Sequence, residues 1–218
     1  MSGARAAEHT YTAEIVRKGI HLVSLSIPVV YAFIPKATAL WILVPLTAAA
    51  VLFDVARHYF RPARELSHSV FGWIMRTHEK DTRRKRLTGA SYVLLSASLC
   101  VFFFPKVVFL TAFSILIISD SAAALVGRRF GRRPFLTKSL EGSAAFLLSA
   151  LVVVAVAPKV ASIPAEYLIG GAAAVVGTVV EGAAVGLDDN LSIPISVGLT
   201  MWALYALLLP ALDIFALG

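Results

Sequence analysis

The stretch Val107-Val-Phe-Leu-Thr-Ala-Phe-Ser-Ile-Leu-Ile-Ile-Ser-Asp-Ser-Ala-Ala-Ala-Leu-Val126 decides the fold. At about 1.5 Å per residue, a helix of this length crosses most of the ~30 Å hydrocarbon core of a bilayer. Inside it sits Asp120, flanked by Ser119 and Ser121. A carboxylate in hydrocarbon is costly, and such residues mark functional sites. Directly after it runs Gly127-Arg-Arg-Phe-Gly-Arg-Arg-Pro-Phe-Leu-Thr-Lys-Ser-Leu-Glu-Gly-Ser143, a basic loop rich in Gly, Ser and Thr. A buried carboxylate beside a cationic loop at a membrane surface points to phosphate chemistry on a lipid.

The whole chain has the composition of a membrane protein. Of its 218 residues 58% are hydrophobic and only 15% charged, with a mean hydropathy of +0.81. Apolar runs fall at 19–35, 37–53, 89–104, 107–126, 142–158, 166–186 and 191–210. They predict an all-α, polytopic integral membrane bundle of about seven transmembrane helices, several near the short limit for a span. No stretch remains for a soluble domain, so residues 1–218 form one integral domain. Cys100 stands alone and has no internal disulfide partner. Met1 to Thr12 is polar and carries no signal-peptide pattern.

The net charge of +7 raises the question of nucleic acid, and its distribution argues against it. Arg5, Arg17 and Lys18 lie in the N-terminal segment, nine Lys or Arg between Arg57 and Arg86, and five between Arg128 and Lys138. Only Lys36, Lys106 and Lys159 remain, all in connections on the opposite side. With seven spans this split follows the positive-inside rule. It predicts a multi-pass protein of the cell (inner) membrane, with a cytosolic N-terminus and both basic loops cytosolic. The 55–88 segment is predicted to hold an interfacial amphipathic helix, with Leu66, Val70, Trp73, Ile74 and Met75 toward lipid. Thr88 is placed to cap the third span.

Polar residues without a topological explanation gather on the predicted cytosolic side. Glu14, Arg17, Lys18 and His21 share one helix face by their i, i+3, i+4, i+7 spacing. Asp120 and Glu181 lie at similar depth on different spans and have the chemistry to share a divalent cation or a proton. Asp188, Asp189 and Asn190 offer hard oxygen ligands suited to Mg²⁺; alternatively Asp189 or Asn190 caps the last span, with Pro194 in its first turn. In the basic loop Gly127, Gly131 and Gly142 let backbone N–H groups approach an anion. Arg128, Arg132, Arg133, Lys138, Ser139 and Ser143 add charge and donors. The loop is not a Walker A motif. Phosphoryl transfer needs charge neutralisation, a metal and a proton acceptor, and this set supplies all three. A transporter with Asp120 and Glu181 as proton relay would put polar groups on both sides of the membrane, and the outer side offers almost none.

The motifs Glu14-x-x-Arg17-Lys18-x-x-His21, Asp120-x-x-Ala123-x-x-x-Gly127-x-x-Phe130-Gly131, Lys138-Ser-Leu-Glu141-Gly-Ser143 and Glu181 followed by Asp189-Asn190-Leu-Ser-Ile-Pro194 come in one order across most of the chain. Together they resemble the polyprenol kinase family, which includes dolichol kinase, phytol kinase and CTP-dependent diacylglycerol kinase. The resemblance implies transfer of the γ-phosphate of CTP to a lipid hydroxyl, with Mg²⁺ or another divalent cation. It implies that Arg17, Lys18, Asp120, Gly127 and the Lys138–Ser143 loop are important. Taken with the residue chemistry, the expected catalytic set is Arg17, Lys18, His21, Asp120 and Glu181; nucleotide binding is expected at Gly127, Arg128, Gly131, Arg132, Arg133, Lys138, Ser139, Glu141, Gly142 and Ser143, and metal binding at Asp120, Glu181 and Asp189. The partners it implies are a membrane lipid and a nucleotide, with no nucleic acid and no obligatory protein partner. The chain is short beside eukaryotic dolichol kinases, which favours a compact, phytol-kinase-like branch. A cytidylyltransferase making a CDP-lipid from phosphatidate is the neighbouring alternative; its expected Lys-Arg and Asp-x-Gly…His-Gly-Gly pattern is missing.

Overall fold

The computed structural model describes residues 2–71, 87–183 and 186–216. Its helices are α1 (Ser2–Val23), α2 (Ser26–Phe33), α3 (Lys36–Tyr59), α4 (Arg61–Phe71), α5 (Gly89–Phe103), α6 (Lys106–Phe130), α7 (Leu140–Val156), α8 (Pro164–Ala183) and α9 (Asp189–Leu208). A two-residue hairpin, β1 (Pro134–Phe135) and β2 (Lys138–Ser139), interrupts the helical pattern inside the basic segment.

Five helical segments are long and apolar enough to cross a membrane: Glu14–Phe33, α3, α6, α8 and α9. The other two predicted spans are shorter apolar helices, α5 with 15 residues and α7 with 17. At 1.5 Å per residue these reach roughly 22–26 Å, short of a ~30 Å core. The apolar runs at 89–104 and 142–158 were already near the short limit for a span, and the helices keep that length. Thr88 starts α5 by accepting a hydrogen bond from the Ser91 amide, and Ser139 starts α7 by accepting from the Gly142 amide.

The predicted first span is broken. Pro28 has no N–H to give Ser24, and the chain tightens into i→i−3 bonds there. Ser24 bonds to the His21 carbonyl and Ile27 to the Ser24 carbonyl. The break follows His21 directly. α4 replaces the interfacial helix predicted at Leu66–Met75. It begins earlier, at Arg61, and Arg64 fastens it by donating to the Arg57 and His58 carbonyls at the end of α3. The rest of that prediction, including Trp73, Met75 and the Lys80–Arg86 charge run, lies outside the described residues.

α6 is apolar all round over its outer turns and sits in the middle, packed on α7, α9, α1 and α2. Phe109 stacks on Phe113 and meets the Tyr31 ring edge-on. The remaining helices close around it as α7 on α8, α8 on α9, α9 on α5 and α5 on α3. Small residues let backbones approach where apolar attraction between helices is weak. At Gly198 of α9 an added Cβ would stand 2.4 Å from the Phe104 ring. Gly198→Leu is expected to destabilise the bundle by about 1–3 kcal/mol or more, read as a lower thermal unfolding midpoint in detergent.

Candidate functional site

The polar stripe of α1 faces α6 and meets it at two levels. Glu14, only 2% exposed, pairs with Arg17 on its own helix and with Arg128 of α6 at 2.9 Å. One turn further, the Lys18 ammonium pairs with the Asp120 carboxylate, and both groups are buried. His21 brings its Nε2 to 3.8 Å from the same Asp120 oxygen. That nitrogen is buried without a hydrogen-bond partner, while the ring is hydrogen-bonded to the backbone of Leu116. Lys18, His21 and Asp120 therefore converge, with Arg17 beside them on the cavity wall.

Glu181, predicted at the same depth, belongs to a second cluster. The Lys138 ammonium bridges Glu181 at 2.7 Å and Asp189 at 3.0 Å, and the Ser143 hydroxyl lies 3.5 Å from Glu181. The hairpin puts Lys138 there. Leu136 turns it with a φ of +52°, in the left-handed region, and Thr137 donates its amide and hydroxyl to the Gly182 carbonyl. Burial works against the charge of Lys138. The Asp189 and Glu181 carboxylates outweigh it and hold the ammonium above the ordinary lysine range. The two clusters feel each other, since Asp120 acts on Glu181 and Asp189, and Lys138 on Asp120. Asp120, Glu181 and Asp189 do not form one ligand set. Among the described residues no three His, Cys, Asp or Glu side chains group to hold a metal.

Two glycines of the loop have a packing role that the sequence did not suggest. Gly127 and Gly142 let α6 and α7 touch: a Cβ on Gly142 would lie 3.2 Å from the Gly127 Cα and 3.1 Å from the Ala123 carbonyl. Several loop amides are already engaged. Gly131 bonds to the Gly127 carbonyl, Gly142 to Ser139, and Arg132 and Arg133 to the Glu141 carboxylate. Glu141 and Ser139 are thus helix-start fastenings. The cationic side chains of Arg128, Arg132 and Arg133 are exposed, with Lys138 half-buried beside them.

A cavity of about 380 Å³ opens between α1, α3, α4, α5 and α6. Its charged end is Lys18, His21 and Asp120, with Arg17 and Asn190 beside them. Ile20, Ala50, Phe53, Ala90 and Val93 make much of the remaining wall. Asp54 also lines it. It is 2% exposed, pairs with Arg57 at 3.0 Å and accepts from the Thr88 amide at 2.7 Å and hydroxyl at 2.9 Å. A largely apolar cavity that also meets buried charged groups suits an amphiphile with a small polar head.

The cap of the last span falls one residue earlier than expected, and one further carboxylate escaped the sequence reading. The N-cap of α9 is Asp188, which accepts from the Asn190 amide at 3.0 Å; Asp189 is free to face Lys138. On the opposite end of the bundle, which the sequence left almost bare, Glu166 is fully buried. It accepts from the amides of Val160, Ala161 and Ile163 and from the Tyr205 hydroxyl. Its signal was present as Pro164 followed by Glu166 at the third helical position, which folds back on the helix start. Glu166→Gln is expected to cost about 1–3 kcal/mol of stability, measured by thermal unfolding, and to leave any chemistry at Asp120 unchanged.

No family profile matches the chain, and no solved structure matches it. The uncharacterized protein RP860 of Rickettsia prowazekii (strain Madrid E) is 31% identical to it over 182 residues. The match spans 83% of this chain and 89% of the relative. On that identity and coverage, the chain belongs to the same family as the Rickettsia prowazekii protein RP860.

Proposed function

We propose that this protein is a CTP-dependent lipid-alcohol kinase. It would carry the γ-phosphate of CTP to the hydroxyl of an isoprenoid alcohol or diacylglycerol at the cytosolic face of the cell membrane. The observation that carries the reading is the apolar cavity ending on Lys18, His21 and Asp120, beside the Lys138 cluster. The motif resemblance to polyprenol kinases supports CTP as the donor. The Lys and Arg distribution supports seven spans, with α5 and α7 as short ones and the site toward the cytosol.

In this mechanism the lipid lies in the cavity with its hydroxyl at the charged end. His21 Nε2 takes the hydroxyl proton, and Asp120 steadies the imidazolium that results. The alkoxide oxygen bonds to the γ-phosphorus as the bond to the bridging oxygen breaks, leaving CDP. Lys138 and the exposed Arg128, Arg132 and Arg133 hold the phosphates, and Lys18 and Arg17 add positive charge where negative charge builds. Glu181 and Asp189 have the donor chemistry for Mg²⁺, which takes one or two carboxylates and completes its shell with phosphate oxygens and water. Bound there, the ion would neutralise phosphate charge.

The test is to incubate purified protein with CTP labelled at either the α or the γ phosphate, with lipid alcohols or phosphatidate. Kinase chemistry puts γ-label in the lipid. Lipid carrying α-label, with release of pyrophosphate, would make the protein a cytidylyltransferase instead. No transfer to any lipid would remove the enzymatic reading.

A further inference from the structure

α1 packs on α6, while α3 packs on α5 and α4, and among the described residues α1 and α3 form no extensive contact with each other. Both helices nevertheless line the cavity, α1 through Ile20 and α3 through Ala50 and Phe53. Both also present an exposed apolar surface: Ile15, Leu22 and Val23 on α1, and Leu46, Leu52 and Val55 on α3. These helices are long and apolar enough to cross a membrane, where such a surface would meet hydrocarbon chains. Ile20 belongs to both settings: it is half exposed and lines the same cavity as Lys18, His21 and Asp120.

We propose that the gap between α1 and α3 is the exit for the substrate's hydrocarbon chain, with Ile20, Ala50 and Phe53 as the residues that determine which chains pass. This deepens the kinase reading and rests on it for the identity of the head group. The head is held at Asp120 while the tail runs out into the bilayer. Chain length is then not measured by an enclosed pocket. Cross-section at the rim is, so bulk added there discriminates against long chains and spares short ones.

Two bulky variants test this, Ala50→Trp on α3 and Ile20→Trp on α1, so that misfolding of one leaves the other. Each is expected to lower kcat/KM for a long-chain isoprenoid alcohol by about tenfold or more relative to a short, water-soluble alcohol. Equal losses on both alcohols, or no loss on either, would overturn the proposal. A binding measurement separates it from the kinase reading. In detergent, an alcohol brominated along its chain is titrated into Ala50→Trp and wild type. Extra, saturable quenching of the introduced indole, reversed by unbrominated alcohol, supports the exit. Quenching no greater than in wild type overturns it, whether or not any phosphate is transferred. A wild type that phosphorylates no alcohol overturns the kinase reading alone, and the quenching result then decides the route of the chain.

Discussion

Asp120→Asn is expected to lower lipid phosphorylation by about a thousandfold or more and to lower thermal stability as well. Asparagine keeps the shape of the side chain and one acceptor oxygen, so the helix packing is preserved. The charge is what goes. The Lys18 ammonium, 3% exposed, is left without its counter-ion, and His21 loses the carboxylate that would steady its protonated form. Breaking one end of a buried ion pair typically costs about 3–5 kcal/mol. Activity and stability are separable by a double variant. Lys18→Met with Asp120→Leu removes both charges and is expected to regain the unfolding midpoint without regaining turnover. Near-normal phosphorylation by Asp120→Asn, assayed with γ-labelled CTP, would sink the role given to this residue.

Lys138→Met is expected to act on the nucleotide. A charge-assisted hydrogen bond to phosphate is worth about 1.5–3 kcal/mol, so KM for CTP should rise roughly ten- to a hundredfold, with kcat falling too. KM for the lipid alcohol should stay close to wild type, because Lys138 is not among the cavity-lining residues. Steady-state kinetics with each substrate varied in turn give the answer. A change confined to the lipid KM would remove Lys138 from the phosphate site. The variant also leaves Glu181 and Asp189 facing one another without the shared ammonium. Added Mg²⁺ is therefore expected to stabilise Lys138→Met against heat more than it stabilises wild type.

What the sequence revealed and what it hid divide along physical lines. Periodicity placed Glu14, Arg17, Lys18 and His21 on one face, because a helix repeats at a fixed angle. It could not show that Glu14 reaches Arg128 or that Lys18 reaches Asp120, since those pairings depend on how α1 lies across α6. Hydropathy located the apolar runs and Thr88 was legible as a cap, whereas the cap at Ser139 lay hidden inside a loop read for its basic charge. The glycines of the 127–142 loop were read as room for a phosphate; Gly127 and Gly142 also make room for the close approach of α6 and α7, a use that composition does not reveal. Asp54 and Glu166 sit near the ends of apolar runs, where nothing in the sequence sets them apart from ordinary interface charges. Only the tertiary structure shows that each is sealed in and saturated with donors.

The two levels of charge between α1 and α6 also fix something that oily side chains leave loose. In hydrocarbon, a helix with exposed Ile, Leu and Val gains little by one vertical setting over another. Glu14 opposite Arg128 and Lys18 opposite Asp120 run antiparallel, so sliding α1 by a single turn would strand both pairs at once. The ion pairs thus act as a register mark, as isolated polar residues do in coiled coils. They set the height at which His21 stands before the Pro28 break, and with it the depth in the bilayer at which a lipid head group would be met.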